Sequence, residues 1–260
     1  MLFDLRGGRR GRVVKVVYAV LAVLMGLSLF LVVGGSNIAE LFNSNDAGSP
    51  AQTYEEQTDR LEVKLKTDPA NPDLLLSLTR AQINTGNAQY GEEGGQRVLT
   101  TESVKSFQEA DQSWSEYLKA TKEPNPGLAQ LVGPMMLTLA ETSSSYTQAD
   151  QRIEAAAEAQ KIVAEARPSV NSLSTLAFYT YFTGDFKAAE KAREEAKKLA
   201  KAKTETEAID KQLDEYKKNA TTYVAAKEKA EKEQQKAGGQ APESLENPLS
   251  PGLGGTGLGG

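Results

Sequence analysis

Glu154, Glu158 and Glu165 are the residues of this chain whose type and spacing come nearest to a paired-carboxylate acid–base site. Separations of four and seven residues place them along one face of a helix. Arg152 and Lys161 share that stretch, and the same pattern describes a solvated, ion-paired helix face. Other chemistry is more restricted. The sequence contains no His and no Cys. That removes Ser–His and Cys–His nucleophilic arrangements, the usual Cys/His zinc sites and any disulfide framework. No Ser is followed three positions later by Lys, the spacing of Ser–Lys acyl enzymes. Gly7-Gly8 and Gly94-Gly95 lack the Gly-Lys-Ser/Thr ending of a phosphate-binding loop. The sequence therefore assigns no catalytic residue, no cofactor and no metal ligand, and points to a non-enzymatic chain.

The side chains left for recognition are aromatic. Phe178, Tyr179, Tyr181 and Phe182 form the densest aromatic cluster of the chain. On a helix, Tyr181 falls near the apolar stripe of Leu173, Leu176 and Ala177. Tyr179 and Phe182 project more to one side. Phe178, Tyr179 and Phe182 are thus the candidate partner-binding residues, with core packing as the alternative. Trp114 lies within an apolar stripe and is expected to pack in a core.

The elements that must position these residues read as helices throughout. Tyr54, Leu61 and Leu65 have helical spacing over residues 53–66. Asn71 suits a helix cap and Pro72 a first turn. Leu74, Leu75, Leu78, Ala81 and Ile83 then recur as one stripe, with Gly86 as the expected stop. Residues 87–96 read as a polar loop. Val104, Phe107, Trp114 and Leu118 form a stripe broken only at Asp111. Pro124-Asn125-Pro126-Gly127 separates it from a run through Leu139 in which Pro134 predicts a kink or a delayed start. A turn over 141–148 leads to a helix burying Ile153, Ala156, Ala157, Val163 and Ala164, interrupted by Gln160 and ended before Pro168. The pair 169–184 and 187–202, turned by Gly184-Asp185-Phe186, is the clearest. The fold class is all-α.

Both ends differ from this domain. Val16 to Val33 is a run of 18 residues without a charge, roughly 27 Å of helix against the ~30 Å of a bilayer core. Arg6, Arg9, Arg10, Arg12 and Lys15 precede it. Residues 13–33 are accordingly expected to be a transmembrane anchor, and the basic segment 1–12 to stay in the cytoplasm by the positive-inside rule. The alternatives are a cleaved signal peptide or a buried core helix. Residues 34–52 read as a spacer, 204–237 as a C-terminal capping helix with a stripe at Ile209, Leu213, Tyr216, Ala220 and Tyr223, and 238–260 as a disordered Gly/Pro-rich tail. Net charge is −5 over 260 residues. Residues 16–185 carry −10 and residues 186–236 carry +3. An acidic surface argues against nucleic-acid binding.

The last helix pair resembles a tetratricopeptide (TPR) repeat, whose pattern is Trp-x2-Leu-Gly-x2-Tyr, a turn, Ala-x3-Phe, then Pro. Leu176 matches the Leu; Leu173, Ala177 and Thr180 stand for Trp, Gly and Tyr. Ala189 and Ala196 match small packing positions. Arg193 stands at the Phe position and Lys201 at the Pro. A middle pair offers Leu128, Leu131, Val132, Met135, Ala156 and Val163, with Gln160 at its Phe position. Leu78, Leu131 and Leu176 would be equivalent, at separations of 53 and 45 where the family has 34. The resemblance implies an irregular TPR-like solenoid over 53–203, with an ordinary helical bundle as the alternative reading. In that family the first helix of each pair lines a peptide-binding surface, which would enlist Phe178, Tyr179 and Phe182. The opening MLFDLRGGRRGRVVKVVYAVLAVLMG is similar to the N-terminal anchors of actinobacterial membrane proteins.

Together these imply a membrane-anchored, TPR-like protein-binding scaffold or adaptor. It would be single-pass in a bacterial cytoplasmic membrane, with its helical domain outside. Its expected partners are envelope or secreted proteins and, through residues 13–33, the lipid bilayer. A cell-wall-associated enzyme accessory subunit and a purely structural tether are the alternative functions.

Overall fold

Seven of the eight helix starts among the described residues carry a capping side chain. A computed structural model describes residues 49–236, with side chains through Glu233. The helices are α1 Pro50–Leu65, α2 Pro72–Ala88, α3 Thr101–Ala120, α4 Pro126–Glu141, α5 Tyr146–Ala166, α6 Val170–Phe182, α7 Phe186–Leu199 and α8 Lys203–Lys236; a hairpin of β1 Gly91–Glu93 and β2 Gln96–Val98 joins α2 to α3. Ser49, Asn71, Thr100, Asn125, Ser145, Ser169 and Asp185 each accept a backbone N–H from the first turn of the helix that follows. Those bonds satisfy donors that the helix itself leaves free. Pro72 and Pro126 open their helices where a missing N–H costs nothing.

Neighbouring helices pack as hairpins, α2 on α3, α4 on α5 and α6 on α7, with α1 against α2 and α8 laid chiefly on α6. One apolar core runs through the described residues, from Leu75 and Phe107 through Met136 and Ile153 to Tyr181 and Tyr223. Leu61, Leu78 and Ala81 form a smaller cluster under α1. Trp114 is buried in the main core and stacks obliquely on Tyr117, ring centroids 5.5 Å apart.

Several expectations change at the level of single residues. Gly86 does not stop α2; the helix continues to Ala88. Its missing side chain instead makes room for a ring, because a Cβ there would lie 2.5 Å from Cε1 of Phe107. Pro134 neither delays nor splits α4. It sits on the exposed side, as does Gln130, whose carbonyl it frees, so the freed group is on the face open to solvent. The stretch expected as a polar loop over 87–96 instead ends α2 at Ala88 and enters a hairpin in the register Gly91↔Val98, turned by Gly94 and Gly95 at φ 60° and 80°. Asp111, a gap in the apolar stripe, is ion-paired to Arg152 of α5.

The expected fold class is corrected in two respects. The described chain is an all-α bundle of eight helices, and the repeat equivalence behind a TPR-like solenoid does not hold. Leu78 is buried, Leu176 half-buried and Leu131 is 38% exposed, so the three do not share one packing role. Where the repeat places Phe, Gln160 donates Nε2–H to the Ser172 carbonyl at 2.8 Å, and Arg193 binds carboxylates. Each hairpin seam thus has its own chemistry. The second correction concerns the membrane. The anchor expected at residues 13–33 lies outside the described residues, as do segment 1–12, most of the spacer 34–52 and the tail 238–260. Among the described residues no helix is long and apolar enough to cross a membrane. The long helices α3, α5 and α8 carry charges at short intervals along their length. The single-pass topology, the cytoplasmic-membrane location, the lipid-bilayer partner and the placement of the helical domain among envelope or secreted proteins are therefore withdrawn.

Candidate functional site

Leu173, Ala177 and Tyr181 recur at four-residue intervals on α6 and face the bundle. The neighbouring positions carry the aromatic cluster. Ser169 and Ser172 fix the start of the helix through a reciprocal capping box, and Gly184 at φ 87° turns the chain into α7.

The three candidate binding residues are all buried: Phe178 at 6%, Tyr179 at 4% and Phe182 at 2% exposure. They divide between two directions. Tyr179 lies over the backbone of α4, where a Cβ on Gly133 would meet its ring at 3.4 Å. Burial there pushes its phenol well above the ordinary value. Phe178 and Phe182 lie edge to face, 5.3 Å apart. They lie under α8: Phe178 is 4.6 Å from the ring of Tyr216, and Phe182 is 5.9 Å from that of Tyr223. Tyr223 in turn meets Tyr146 of α5 at 5.7 Å. Such tilted pairs contribute about 0.5–1.5 kcal/mol beyond area burial. The fourth aromatic, Tyr181, donates its hydroxyl to Glu190 Oε1 of α7 at 2.9 Å. Its phenol is pushed up to about 12, first by burial.

Around this aromatic floor runs a set of charges that sequence reading did not connect. Arg193, 8% exposed, projects from α7 towards α8. Its Nε and Nη2 donate to Asp210 Oδ1 at 2.9 and 2.6 Å, and its Nη1 donates to Asp214 Oδ1 at 2.6 Å. Asp210 also pairs with Lys197 at 3.2 Å. Its carboxyl is held below the ordinary range, first by the Arg193 hydrogen bonds. Lys217 pairs with Glu190 at 2.7 Å. Burial raises Glu190, but hydrogen bonds from Lys217 and Tyr181 outweigh it, and its carboxyl also ends below the ordinary range. Farther along α8, Asp150 of α5 accepts the Tyr223 hydroxyl at 2.7 Å and pairs with Lys227. Apart from Arg152–Asp111, every ion pair joining two different helices among the described residues has one end on α8.

Arg193 carried a signal that was readable in the sequence: a lone charge within the stripe Ala189, Ala192 and Ala196 requires a buried partner. Asp210 and Asp214 flank Leu213 one helical turn apart, the spacing that grips a single guanidinium from both sides. The carboxylates that opened the sequence reading behave differently. Glu154, Glu158 and Glu165 are exposed on α5. Glu165 pairs only loosely with Lys161, at 3.9 Å. No group of three or more Asp or Glu side chains placed to hold a metal ion occurs among the described residues.

No family model, no curated protein and no solved structure matches this chain. The resemblances to TPR proteins and to actinobacterial anchors are accordingly set aside, and function rests on the geometry alone.

Proposed function

We propose that the chain is a non-catalytic helical scaffold that acts by binding protein along its helical surface. The observation that supports this reading is where the strongly interacting groups are engaged. Arg193 is held by Asp210 and Asp214, Asp150 by Tyr223 and Lys227, Asp111 by Arg152 and Gln160 by Ser172. Each joins one helix to another and serves to hold the bundle. What the bundle offers outward is long charged helix faces with single apolar residues set in them. These are Val63 on α1, Leu131 on α4 beside the exposed Pro134, and Leu199 at the end of α7; Val63 and Leu131 lie inside their helices, whereas Leu199 is the last residue of its own.

The test is photo-crosslinking in the source cell from Leu131 and, separately, from Val63. The reading expects a discrete protein adduct from at least one position, lost when a charge is introduced beside Leu131 (Pro134→Glu) or reversed beside Val63 (Arg60→Glu). Adducts limited to the chain itself at both positions, or turnover of a small molecule by the purified chain, would refute it.

A further inference from the structure

The seam under α8 is built differently from the other seams of the bundle. α1 to α7 meet mainly through aliphatic and aromatic side chains, with Arg152–Asp111 as the one ion pair between helices there among the described residues. α8 also contributes an apolar stripe, Ile209, Leu213, Ala220 and Tyr223, all buried. To this it adds ion pairs at Asp210, Asp214, Lys217 and Lys227, which reach two neighbouring helices. These charges are not sealed from water: Asp210 is 35%, Asp214 66% and Lys217 45% exposed. Ion pairs of that exposure are screened by salt, whereas apolar contacts are not. Only Ala200, Lys201 and Ala202 connect α8 to α7, so α8 can leave without disturbing the connections of α1 to α7.

We propose that the α6–α7 face is a docking site for an amphipathic helix, and that α8 is the occupant the chain supplies to itself. This rests on the scaffold reading only for the existence of a partner; the site's chemistry is independent of it. The floor is Phe178 and Phe182, and the selective element is Arg193. The helix that fits carries apolar residues in the α8 pattern, at positions i, i+4, i+7, i+11 and i+14. It also carries acids at i+1 and i+5, which take the two sides of one guanidinium, and a base at i+8 for Glu190. In α8 these are Ile209, Leu213, Tyr216, Ala220 and Tyr223, with Asp210, Asp214 and Lys217. An incoming helix of this kind must displace α8. Its apparent affinity is therefore reduced by the fraction of time for which α8 is closed.

The probe is a fluorescein-labelled peptide of residues 203–227, added to the full chain and followed by anisotropy. The full chain carrying Asp210→Asn and Asp214→Asn has a weakened lid and an intact site, and should bind the peptide about tenfold or more tightly than the wild type. A chain with Glu190→Cys and Lys217→Cys, bridged by a short bifunctional reagent, has its lid closed and should not bind. The natural sequence has no Cys, so this bridge is unambiguous. A peptide carrying the same two Asn substitutions should lose binding to the opened chain. The proposal is overturned if the opened chain binds no better than the bridged one, or if the Asn peptide binds as well as the native one. Should the opened variant fail to fold, hydrogen exchange on the wild-type chain decides instead. Raising salt from about 0.05 to about 0.5 M must accelerate exchange in α8 more than in α2 to α5, and equal acceleration overturns the proposal. These peptide and exchange results need no cellular partner, so they can stand even if crosslinking from Leu131 and Val63 finds none.

Discussion

Arg193 shows how one residue is decided by its surroundings. Its removal leaves Asp210 and Asp214 without their strongest donor, yet both remain partly hydrated, so the cost falls short of that for a sealed pair. Arg193→Met keeps the stem packing, and should cost about 2 kcal/mol of stability in low salt, as for lost charged hydrogen bonds. The difference from wild type should shrink as salt rises. Equal destabilisation at low and high salt, measured by denaturant melts, would mean that Arg193 acts through packing alone. Gly86 presents the opposite balance. Ala is the better helix former by about 1 kcal/mol, so Gly86→Ala on an open helix face would stabilise. Here the added Cβ would lie 2.5 Å from the ring of Phe107, a residue 2% exposed within the main core. Overpacking of this kind costs about 1–3 kcal/mol, and the steric term should win. A higher melting temperature for Gly86→Ala would refute the close approach.

Among whole elements, much was legible because helix punctuation is local. Asn71-Pro72 opens α2 as the cap and first-turn rules place it, and α5 ends before Pro168 as expected; Asn125-Pro126, read only as a break, opens α4 by the same rules. The stripe read on α8 is the one that packs, with Ile209, Leu213, Ala220 and Tyr223 buried. What was not legible depended on a second element. The helix-breaking reading of Gly86 fails because Phe107, twenty-one positions later, occupies the space it leaves. The hairpin at 91–98 was missed because three-residue strands are too short to show alternation, although Gly94-Gly95 is a strong two-residue turn signal. Arg193 and Gln160 looked like flaws in a repeat and are instead tertiary hydrogen-bonding residues. The aromatic cluster was visible in the sequence, but α8 covers Phe178 and Phe182 and α4 receives Tyr179, and no periodicity in α6 contains those facts. One joint between elements gives a direct test. Tyr117, near the end of α3, accepts the backbone N–H of Asn125, the cap of α4, at 2.8 Å. Tyr117→Phe removes that acceptor and should cost about 1 kcal/mol. An unchanged melting temperature would show that water replaces it freely.

For the whole molecule, the two ways of joining helices imply two stabilities in one bundle, and pH should separate them. Asp210 and Glu190 have folded-state carboxyls below their ordinary values of 3.8 and 4.5. A depressed carboxyl stabilises the fold fully above its ordinary value, and loses that contribution as pH falls through the lowered one. At Lys227 burial alone would lower the pKa, but the bond to Asp150 outweighs it and the pKa stands above 10.5. Its contribution is complete below the ordinary value and fades as pH rises through the raised one. The α8 seam should therefore be firm from about pH 5 to pH 10 and weaken first on the acid side. Trp114 is the only Trp of the chain and packs in α3, outside that seam. As pH falls from about 4.5, protection of the α8 amides, corrected for the intrinsic slowing of exchange in acid, should drop while Trp114 emission holds steady, with the Trp change following at lower pH. Melting temperature should fall by about 2–4 °C for each kcal/mol lost over that interval. If Trp114 emission and α8 exchange moved together across the whole range, the bundle would be a single cooperative unit. The ion-paired seam would then be no weaker than the apolar ones.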